Sequence, residues 1–246
     1  MIKDGERIFD TKIRSFLMIG QSNMAGRGEF NQVPNIENAN CYMVRNGRWQ
    51  KMSEPINPDR PIFEGEFHSG ISLAASFADS VSKQLNCKVG LIPCADGGTE
   101  IDEWQKGGVL YEHALFMAKL ARKNSVLSGI IWHQGESDAR STDELAISHK
   151  EKFLKMINHL RADLGQENLP VIVGELSNCY TDRWNLGERP KIINDGYFQA
   201  TKHLSNCALV SADGLKLKAD GIHFNSVSLR EFGLRYATAY LKLIRE

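Results

Sequence analysis

Short apolar runs alternate along the chain with longer stretches in which apolar residues recur every three or four positions. The short runs are apolar at almost every position, which is typical of strands buried on both faces of a sheet. They predict strands over 14–20, 88–95, 128–132, 170–176 and 207–212. The periodic stretches predict helices over about 70–86, 110–120, 142–164, 190–204 and 229–243.

The alternation of strand and helix predicts the fold class. Strands that alternate with helices form a parallel sheet with helices on both faces, because parallel strands need a crossover connection. The sequence contains no internal repeat, no low-complexity tract and no interdomain linker. We therefore expect an α/β fold in a single domain that spans residues 1–246.

The segment 25–70 departs from this alternation and is rich in Gly, Asn and Pro. Within it, 41–44 and 48–52 flank the dipeptide Asn46-Gly47, which predicts a β-hairpin with a two-residue turn. The stretch 54–65 carries three prolines and is predicted to be a surface loop. Long irregular segments are commonly functional, so we expect this one to form a wall of the binding site.

Composition and charge argue against several classes of function. Hydrophobic residues make up 42% and charged residues 24% of the 246 residues, as in ordinary globular proteins. Lys+Arg and Asp+Glu both total 30, so the formal net charge is zero and gives no electrostatic basis for binding nucleic acid or an anionic membrane. No apolar run is long enough to span a membrane.

Cysteine spacing and the amino terminus bear on location and cofactors. The five cysteines form no Cys-x-x-Cys pair, and the first residues lack the apolar segment of a signal peptide. These features predict reduced thiols and a cytoplasmic protein, although a secreted protein whose signal peptide has been removed would have the same sequence. No pair of histidines has the spacing of a zinc site. We therefore expect no metal and no other cofactor.

Polar groups follow four of the predicted strands, at 20–23, 96–99, 133–136 and 220–223. The carboxyl ends of parallel strands meet at one edge of a sheet, so these groups share a candidate cleft. Acyl transfer requires a hydroxyl nucleophile, an imidazole base oriented by a carboxylate, and donors for the developing oxyanion. Ser22 and His223 suit the first two roles, and Asp220 lies three residues before the histidine, within reach of its Nδ1.

Each of these groups also has a plain structural explanation. A serine after a strand commonly caps a helix, an Asp-x-x-His pair commonly forms a loop hydrogen bond, and Gly97-Gly98 suits a tight turn. His133 and Gln134 are also suited to satisfying buried backbone groups. The occurrence of all four groups in this order is more specific than any one of them.

In these motifs the chain resembles the SGNH, or GDSL-like, hydrolases. Within that superfamily it resembles the branch that contains sialate O-acetylesterase-type domains and the acetyl xylan esterases of carbohydrate esterase family six. The matching stretches span most of the chain: 20–28 (Gly-Gln-Ser-Asn-Met-Ala-Gly-Arg-Gly), 94–101 (Cys-Ala-Asp-Gly-Gly-Thr-Glu-Ile) with Trp104, 132–138 (Trp-His-Gln-Gly-Glu-Ser-Asp) and 220–224 (Asp-Gly-Ile-His-Phe).

The resemblance implies a three-layer α/β/α sandwich with a central parallel sheet of about five strands. It implies a serine esterase that removes acetyl groups from acetylated sugars through an acyl-enzyme, without a metal ion. Ser22 is then the nucleophile, His223 the general base and Asp220 the carboxylate that orients the base.

The same resemblance implies the oxyanion donors. They are the backbone N–H of Ser22, a backbone N–H in the Gly97-Gly98 turn and the side-chain amide of Gln134. Three further candidates for oxyanion or substrate binding come from the same motifs, namely Gln21, Asn23 and Glu136. The chain departs from the family at 68–71 (His-Ser-Gly-Ile), where Gly-Pro is usual, and this departure affects the wall of the acyl pocket.

Several alternatives stay open at the level of sequence. Asp220 and Glu136 are both candidates for orienting His223, and the short Asp-x-x-His turn favours Asp220. Acetylated xylan fragments, other acetylated oligosaccharides and acetylated sialic acids are all compatible substrates. A non-catalytic carbohydrate-binding relative is disfavoured because every expected catalytic residue is present. A flavodoxin-like nucleotide-binding protein is disfavoured because no glycine-rich phosphate motif occurs.

Overall fold

One seven-stranded sheet and a separate two-stranded ribbon form the β-structure of the described chain. The computed structural model describes residues 2–3, 6–7, 10–58, 68–180 and 184–245. The ribbon pairs Ile2–Lys3 (β1) with Glu6–Arg7 (β2). The strands of the central sheet are Asp10–Gly20 (β3), Cys41–Arg45 (β4), Arg48–Lys51 (β5), Cys87–Pro93 (β6), Ser125–His133 (β7), Val171–Gly174 (β8) and Cys207–Val210 (β9).

The order of strands in the central sheet is β5-β4-β6-β3-β7-β8-β9. Every neighbouring pair is parallel except β4 and β5, so the predicted α/β class is confirmed. The predicted hairpin is also present, and its turn residues Asn46 and Gly47 have positive φ angles of 51° and 71°. Because β4 also pairs with β6, the hairpin extends the sheet to seven strands instead of about five.

Helices lie on both faces of this sheet. Their bounds are Ser22–Ala25 (α1), Ala74–Leu85 (α2), Val109–Ala121 (α3), Glu136–Arg140 (α4), Asp143–Leu164 (α5), Arg189–His203 (α6) and Ser226–Leu243 (α7). Buried residues of α3, α5 and α6 pack on one face, and those of α2 and α7 pack on the other. No described helix combines the length and the apolar character that a membrane crossing requires.

The central strand β3 is buried on both faces. Phe16 and Met18 point into the cluster with α2 and α7, whereas Leu17 and Ile19 point into the cluster with α3, α5 and α6. None of the four side chains is exposed to solvent. Burial of a large apolar side chain contributes about 1.5–3 kcal/mol, so this strand anchors both layers of helices and fixes the position of its carboxyl end.

The start of α2 differs from the prediction. The apolar stripe that begins at Ile71 predicts a helix from about residue 70, but α2 begins at Ala74. Gly28 and Ile71 form a two-way backbone bridge instead, with N···O distances of 3.1 and 2.9 Å. This bridge holds the backbone extended at Ile71. The side chain of Ile71 is buried, as the apolar pattern predicts, but the residue precedes the helix.

One predicted loop and one connecting segment lie partly outside the described residues. The loop predicted over 54–65 is described only up to residue 58, and the segment that connects β8 to α6 is not described at 181–183. Helix α6 begins at Arg189, one residue before the predicted start, and carries Pro190 in its first turn. A proline is well suited to this position because the first backbone N–H groups of a helix have no intrahelical acceptor.

Candidate active site

The candidate site lies at the carboxyl edge of the sheet, where β3 ends between its neighbours β6 and β7. Gly20, the last residue of β3, has a φ of 127°, and a Cβ there would lie 2.1 Å from the carbonyl oxygen of His133. The glycine therefore permits a close approach of the two strand ends. The N–H of Gln21 donates to that carbonyl at 2.9 Å, and the N–H of Asp96 donates to the carbonyl of Gly20 at 2.9 Å. The predicted polar groups at 20–23, 96–99 and 133–136 therefore meet at this point of the sheet edge.

Ser22, His223 and Asp220 form a continuous chain of hydrogen bonds at this edge. Ser22 Oγ lies 2.9 Å from Nε2 of His223, and Nδ1 of the same ring lies 2.9 Å from Oδ2 of Asp220. Ser22 is the first residue of α1, and the cap position belongs to Gln21. The structure therefore brings the three residues together and does not use the serine as a helix cap.

The carboxylate of Asp220 is held by its own loop. Its Oδ1 accepts the backbone N–H groups of Ile222 and His223, each at 2.9 Å. Partial burial would raise the pKa of Asp220, but these two N–H groups and the His223 ring outweigh it and lower the pKa below its usual value. The carboxylate is therefore ionised at neutral pH and suited to stabilise a positive charge on the imidazole.

A small cleft of about 210 Å³ opens beside this chain. Six of the predicted residues line it, namely Gln21, Ser22, Gly97, Gly98, Glu136 and His223. A Cβ on Gly97 would lie 3.6 Å from Cβ of Ser22 and 2.5 Å from Nη2 of Arg27. The glycine turn therefore forms the wall directly opposite the serine. Asp220, Asn23 and Gln134 are not among the lining residues.

The structure does not bring the amide of Gln134 to the cleft. Its side chain is completely buried, and its Nε2 donates to the carbonyl of Thr99 at 2.9 Å and to Oδ2 of Asp138. Both amide hydrogens therefore have acceptors inside the protein. This geometry argues against the predicted role of Gln134 as an oxyanion donor.

A buried polar network that the sequence analysis missed holds Gln134 in place. His149 Nε2 donates to Oε1 of Gln134 at 3.1 Å, and the hydroxyl of Tyr197 donates to its backbone carbonyl at 2.7 Å. Burial lowers the pKa of His149 to about 3 and raises that of Asp138 to about 7. Asp138 lies within the quoted 132–138 motif, but nothing in the local sequence indicates that His149 and Tyr197 would meet it.

The side chain of Gln21, unlike that of Gln134, lines the cleft. Its Oε1 accepts the backbone N–H groups of Gly135 and Ser137 at 3.4 and 3.3 Å, and it lies 3.3 Å from Nε2 of Gln134. Its own Nε2 donates to no protein acceptor within the described part of the chain, and Gln21 lines the cleft. Of these two glutamines, only Gln21 lines the cleft, and Gln134 packs behind it.

Glu136 contacts neither His223 nor Asp220. Its Oε1 lies 3.0 Å from Nε2 of His133 and accepts a hydrogen bond from Nδ2 of Asn23. Burial would raise the pKa of Glu136, but His133 and Asn23 together lower it. Asp220 is therefore the carboxylate that meets His223 in this structure.

Five further residues line the cleft that the sequence analysis did not single out, namely Arg27, Ser137, Arg140, Tyr180 and Ile222. The hydroxyl of Tyr180 donates to the carbonyl of Glu136 at 2.7 Å, and the guanidinium of Arg140 lies 4.5 Å from the ring centre of Trp184. Arg27 lies within the 20–28 motif, and this position was the sequence feature from which its place at the cleft could have been predicted. Among the described residues, no group of three or more His, Cys, Asp or Glu side chains is arranged to hold a metal ion.

Comparison with known proteins places the chain beside carbohydrate esterases. Residues 12–242 match the family described as carbohydrate esterase, sialic acid-specific acetylesterase. A probable carbohydrate esterase of Arabidopsis thaliana is 31% identical over 251 residues, an alignment that covers 92% of this chain and 89% of that protein.

Solved structures share the fold. The crystal structure of an Arabidopsis thaliana protein superposes with a TM-score of 0.83 at 28% identity, over 94% of this chain and 98% of that one. The crystal structure of NanS superposes with a TM-score of 0.78 at 16% identity, over 97% and 99% of the two chains. The second likeness, at so low an identity, concerns the fold alone.

Proposed function

The chain belongs to the sialic acid-specific acetylesterase family of carbohydrate esterases and is a carboxylic ester hydrolase; from this premise we propose that it removes O-acetyl groups from acetylated carbohydrates through a serine acyl-enzyme. The observation that carries the mechanism is the hydrogen-bonded chain from Ser22 through His223 to Asp220, at the mouth of a small cleft. Ester hydrolysis by this mechanism requires one nucleophile in contact with one base, and Ser22 and His223 supply both.

In the acylation step, Ser22 Oγ attacks the carbonyl carbon of the acetyl group, and its proton passes to Nε2 of His223. The ionised Asp220 stabilises the imidazolium that results and keeps Nδ1 as the protonated nitrogen. The tetrahedral intermediate then collapses, the bond to the sugar oxygen breaks, and His223 returns the proton to that oxygen. The deacetylated sugar leaves, and acetyl-Ser22 remains.

In the deacylation step, a water molecule takes the place of the sugar. His223 removes a proton from the water as it attacks the acetyl carbonyl. The second tetrahedral intermediate then collapses: the bond from the acetyl carbon to Ser22 Oγ breaks, His223 returns the proton to Oγ, and acetic acid leaves. One ester and one water are consumed, and one alcohol and one acetic acid are produced. The same imidazole serves as base and acid in both steps.

The negative charge on the carbonyl oxygen needs donors on the cleft wall. The backbone N–H of Ser22 is suited to this role, because the first N–H groups of a helix have no intrahelical acceptor. The Gly97-Gly98 turn lies against the serine and offers further N–H groups. The side-chain amide of Gln21 is the third donor in this proposal and takes the place predicted for Gln134.

The acyl group is expected to be short. The cleft holds about 210 Å³, and only two of its lining residues, Tyr180 and Ile222, carry large apolar side chains, so it offers no extended apolar trough for a long chain. Each methylene that a pocket cannot accommodate costs about 1–3 kcal/mol of transition-state binding. We therefore expect kcat/KM to fall about tenfold or more from acetyl to butyryl esters and further to octanoyl esters. A series of nitrophenyl esters measures this, and faster hydrolysis of the octanoyl ester would contradict the proposal.

Chelation is expected to leave the activity unchanged. The proposed chemistry uses a proton-transfer chain of three side chains, and the described residues offer no cluster of metal ligands. Hydrolysis of an acetate ester before and after incubation with EDTA measures this. A loss of activity that added metal restores would show that the reaction depends on a metal ion.

Two substrate classes follow from the proposal. Acetylated xylan fragments follow from the likeness of the sequence motifs to acetyl xylan esterases. Acetylated sialic acids are favoured by the family match, and by Arg27 and Arg140 in the cleft, because guanidinium groups pair well with the carboxylate of such a sugar. Acetate release from a panel of acetylated xylo-oligosaccharides, other acetylated oligosaccharides and O-acetyl sialic acids tests both, and no release from any of them would overturn the proposed function.

A further inference from the structure

Asn23 makes backbone hydrogen bonds on both sides of His223. Its Nδ2 donates to the carbonyl of Ile222 at 3.1 Å, and its Oδ1 accepts the N–H of Phe224 at 3.0 Å. The side chain is almost completely buried, with 1% of its surface exposed. We propose that Asn23 is a positioning residue, which ties the loop of the catalytic base to the helix of the nucleophile. This inference rests on the proposed function and deepens it.

The loop has a particular need for such a tie. Asp220 orients the imidazole of His223 but lies on the same loop, so their contact fixes the ring relative to the loop and not relative to Ser22. Ser22 and His223 are 201 residues apart in sequence. Asn23 follows Ser22 directly on α1, so its two bonds to the loop set the distance between nucleophile and base.

Glu136 reinforces the orientation of the Asn23 amide. An ionised carboxylate only accepts hydrogen bonds, so Oε1 of Glu136 requires the Nδ2 side of the amide. The carbonyl of Ile222 requires the same side, and the N–H of Phe224 requires Oδ1. All three partners therefore favour the one orientation in which Asn23 holds both neighbours of His223.

His133 completes this arrangement from the core. Its ring is completely buried, and Nε2 lies 3.0 Å from Oε1 of Glu136. The ring packs edge-on against Phe224 and Phe232, with centroid distances of 5.8 and 5.4 Å. His133, at the end of β7, thus supports the loop that carries His223 in two ways. It packs against Phe224, and it contacts Glu136, which accepts a hydrogen bond from Asn23.

The test compares Asn23→Ala with the wild-type protein. Because a misplacement of about 1 Å can lower a rate about 10²-fold, we expect kcat for an activated acetate ester to fall about 10²-fold. We expect KM to change less than about threefold, because Asn23 does not line the cleft. The low-field proton resonance of His223 Nδ1–H, assigned by its absence from Asp220→Asn, is expected to shift or broaden.

Two further variants sharpen the test. Glu136→Gln keeps an acceptor for Nδ2 of Asn23 but removes the charge that strengthens this bond. The carbonyl of Ile222 and the N–H of Phe224 still hold the amide, so we expect a smaller loss in kcat of about tenfold. Asn194→Ala is the matched control. Asn194 lies on α6, and its side chain also accepts a backbone N–H and donates to a backbone carbonyl, both of Leu176. We expect the substitution to lower thermal stability while kcat and the low-field resonance keep their wild-type values.

Asn23→Ala with kcat within threefold of wild type and an unchanged low-field resonance would overturn the inference. If that variant does not fold, Asn23→Ser, whose side chain is too short to reach both backbone groups, is judged by the same criteria. Ser22→Ala is measured alongside. Activity that survives in Ser22→Ala rejects the proposed function itself, whereas an inactive Ser22→Ala beside a fully active Asn23 variant rejects only the positioning role.

Discussion

Replacement of Ser22 by alanine is expected to lower kcat for an activated acetate ester by about 10⁴- to 10⁶-fold, the loss typical of a triad nucleophile. The substitution removes the atom that the proposed mechanism uses to form the acyl-enzyme, Oγ of Ser22, which lies 2.9 Å from Nε2 of His223. The fold is expected to be retained, because the lost hydroxyl leaves His223 Nε2 at a cleft that water can enter.

The measurement needs a check of folding and a matched serine. Circular dichroism and thermal unfolding of Ser22→Ala are compared with those of the wild-type protein. Ser82→Ala is the control, since Ser82 is also buried and its hydroxyl donates to an acceptor far from the cleft, the carbonyl of Cys87, at 2.8 Å. We expect this control to retain wild-type activity. A folded Ser22→Ala variant with more than a tenth of the wild-type rate would end the acyl-enzyme hypothesis.

Replacement of Asp220 by asparagine is expected to lower kcat by about 10³- to 10⁴-fold. The asparagine oxygen still accepts the backbone N–H groups of Ile222 and His223, so the loop keeps its shape. The charge opposite Nδ1 is lost, however, and the amide nitrogen that faces the ring favours the wrong tautomer of His223. The imidazolium that forms when Ser22 is deprotonated then has no carboxylate to stabilise it.

The comparison of Asp220→Asn with Glu136→Gln decides which carboxylate orients the base. Both changes keep the shape of the side chain and remove its charge. We expect the Glu136 variant to lose only about tenfold, because this carboxylate acts through Asn23 and makes no contact with the ring. A loss of about 10³-fold in Glu136→Gln with a loss of only a few-fold in Asp220→Asn would assign the orienting role to Glu136. Equally large losses would mean that the base depends on both.

The features that were predictable from sequence depend on a few neighbouring residues. The alternation of apolar runs and periodic stretches predicted five strands of the central sheet, since strand and helix periodicity are visible within a dozen residues. The Asn46-Gly47 turn predicted the hairpin for the same reason. The contact of Asp220 with His223 is also local, because three residues of one loop suffice to bring the carboxylate to the ring.

Tertiary structure alone decided the features that require several distant elements to meet. The hairpin was visible in the sequence, but its pairing with β6, and therefore a sheet of seven strands, was not. Gln134 lies in a specific motif, yet the direction of its amide is set by Thr99, Asp138 and His149, which come from three separate segments. The motif identifies the residue at the strand end, whereas the surrounding packing determines which acceptors its amide hydrogens face.

The same distinction applies to Asn23. Its place next to Ser22 is evident from the sequence, but its bonds to Ile222 and Phe224 join segments about 200 residues apart. Such a contact forms only after the sheet has brought the ends of β3, β7 and β9 to one edge, because neither segment has any local preference for the other. Local patterns therefore determined the strands and the Asp220–His223 pair, whereas the packed sheet decided which side chains open into the cleft and which hold the others in place.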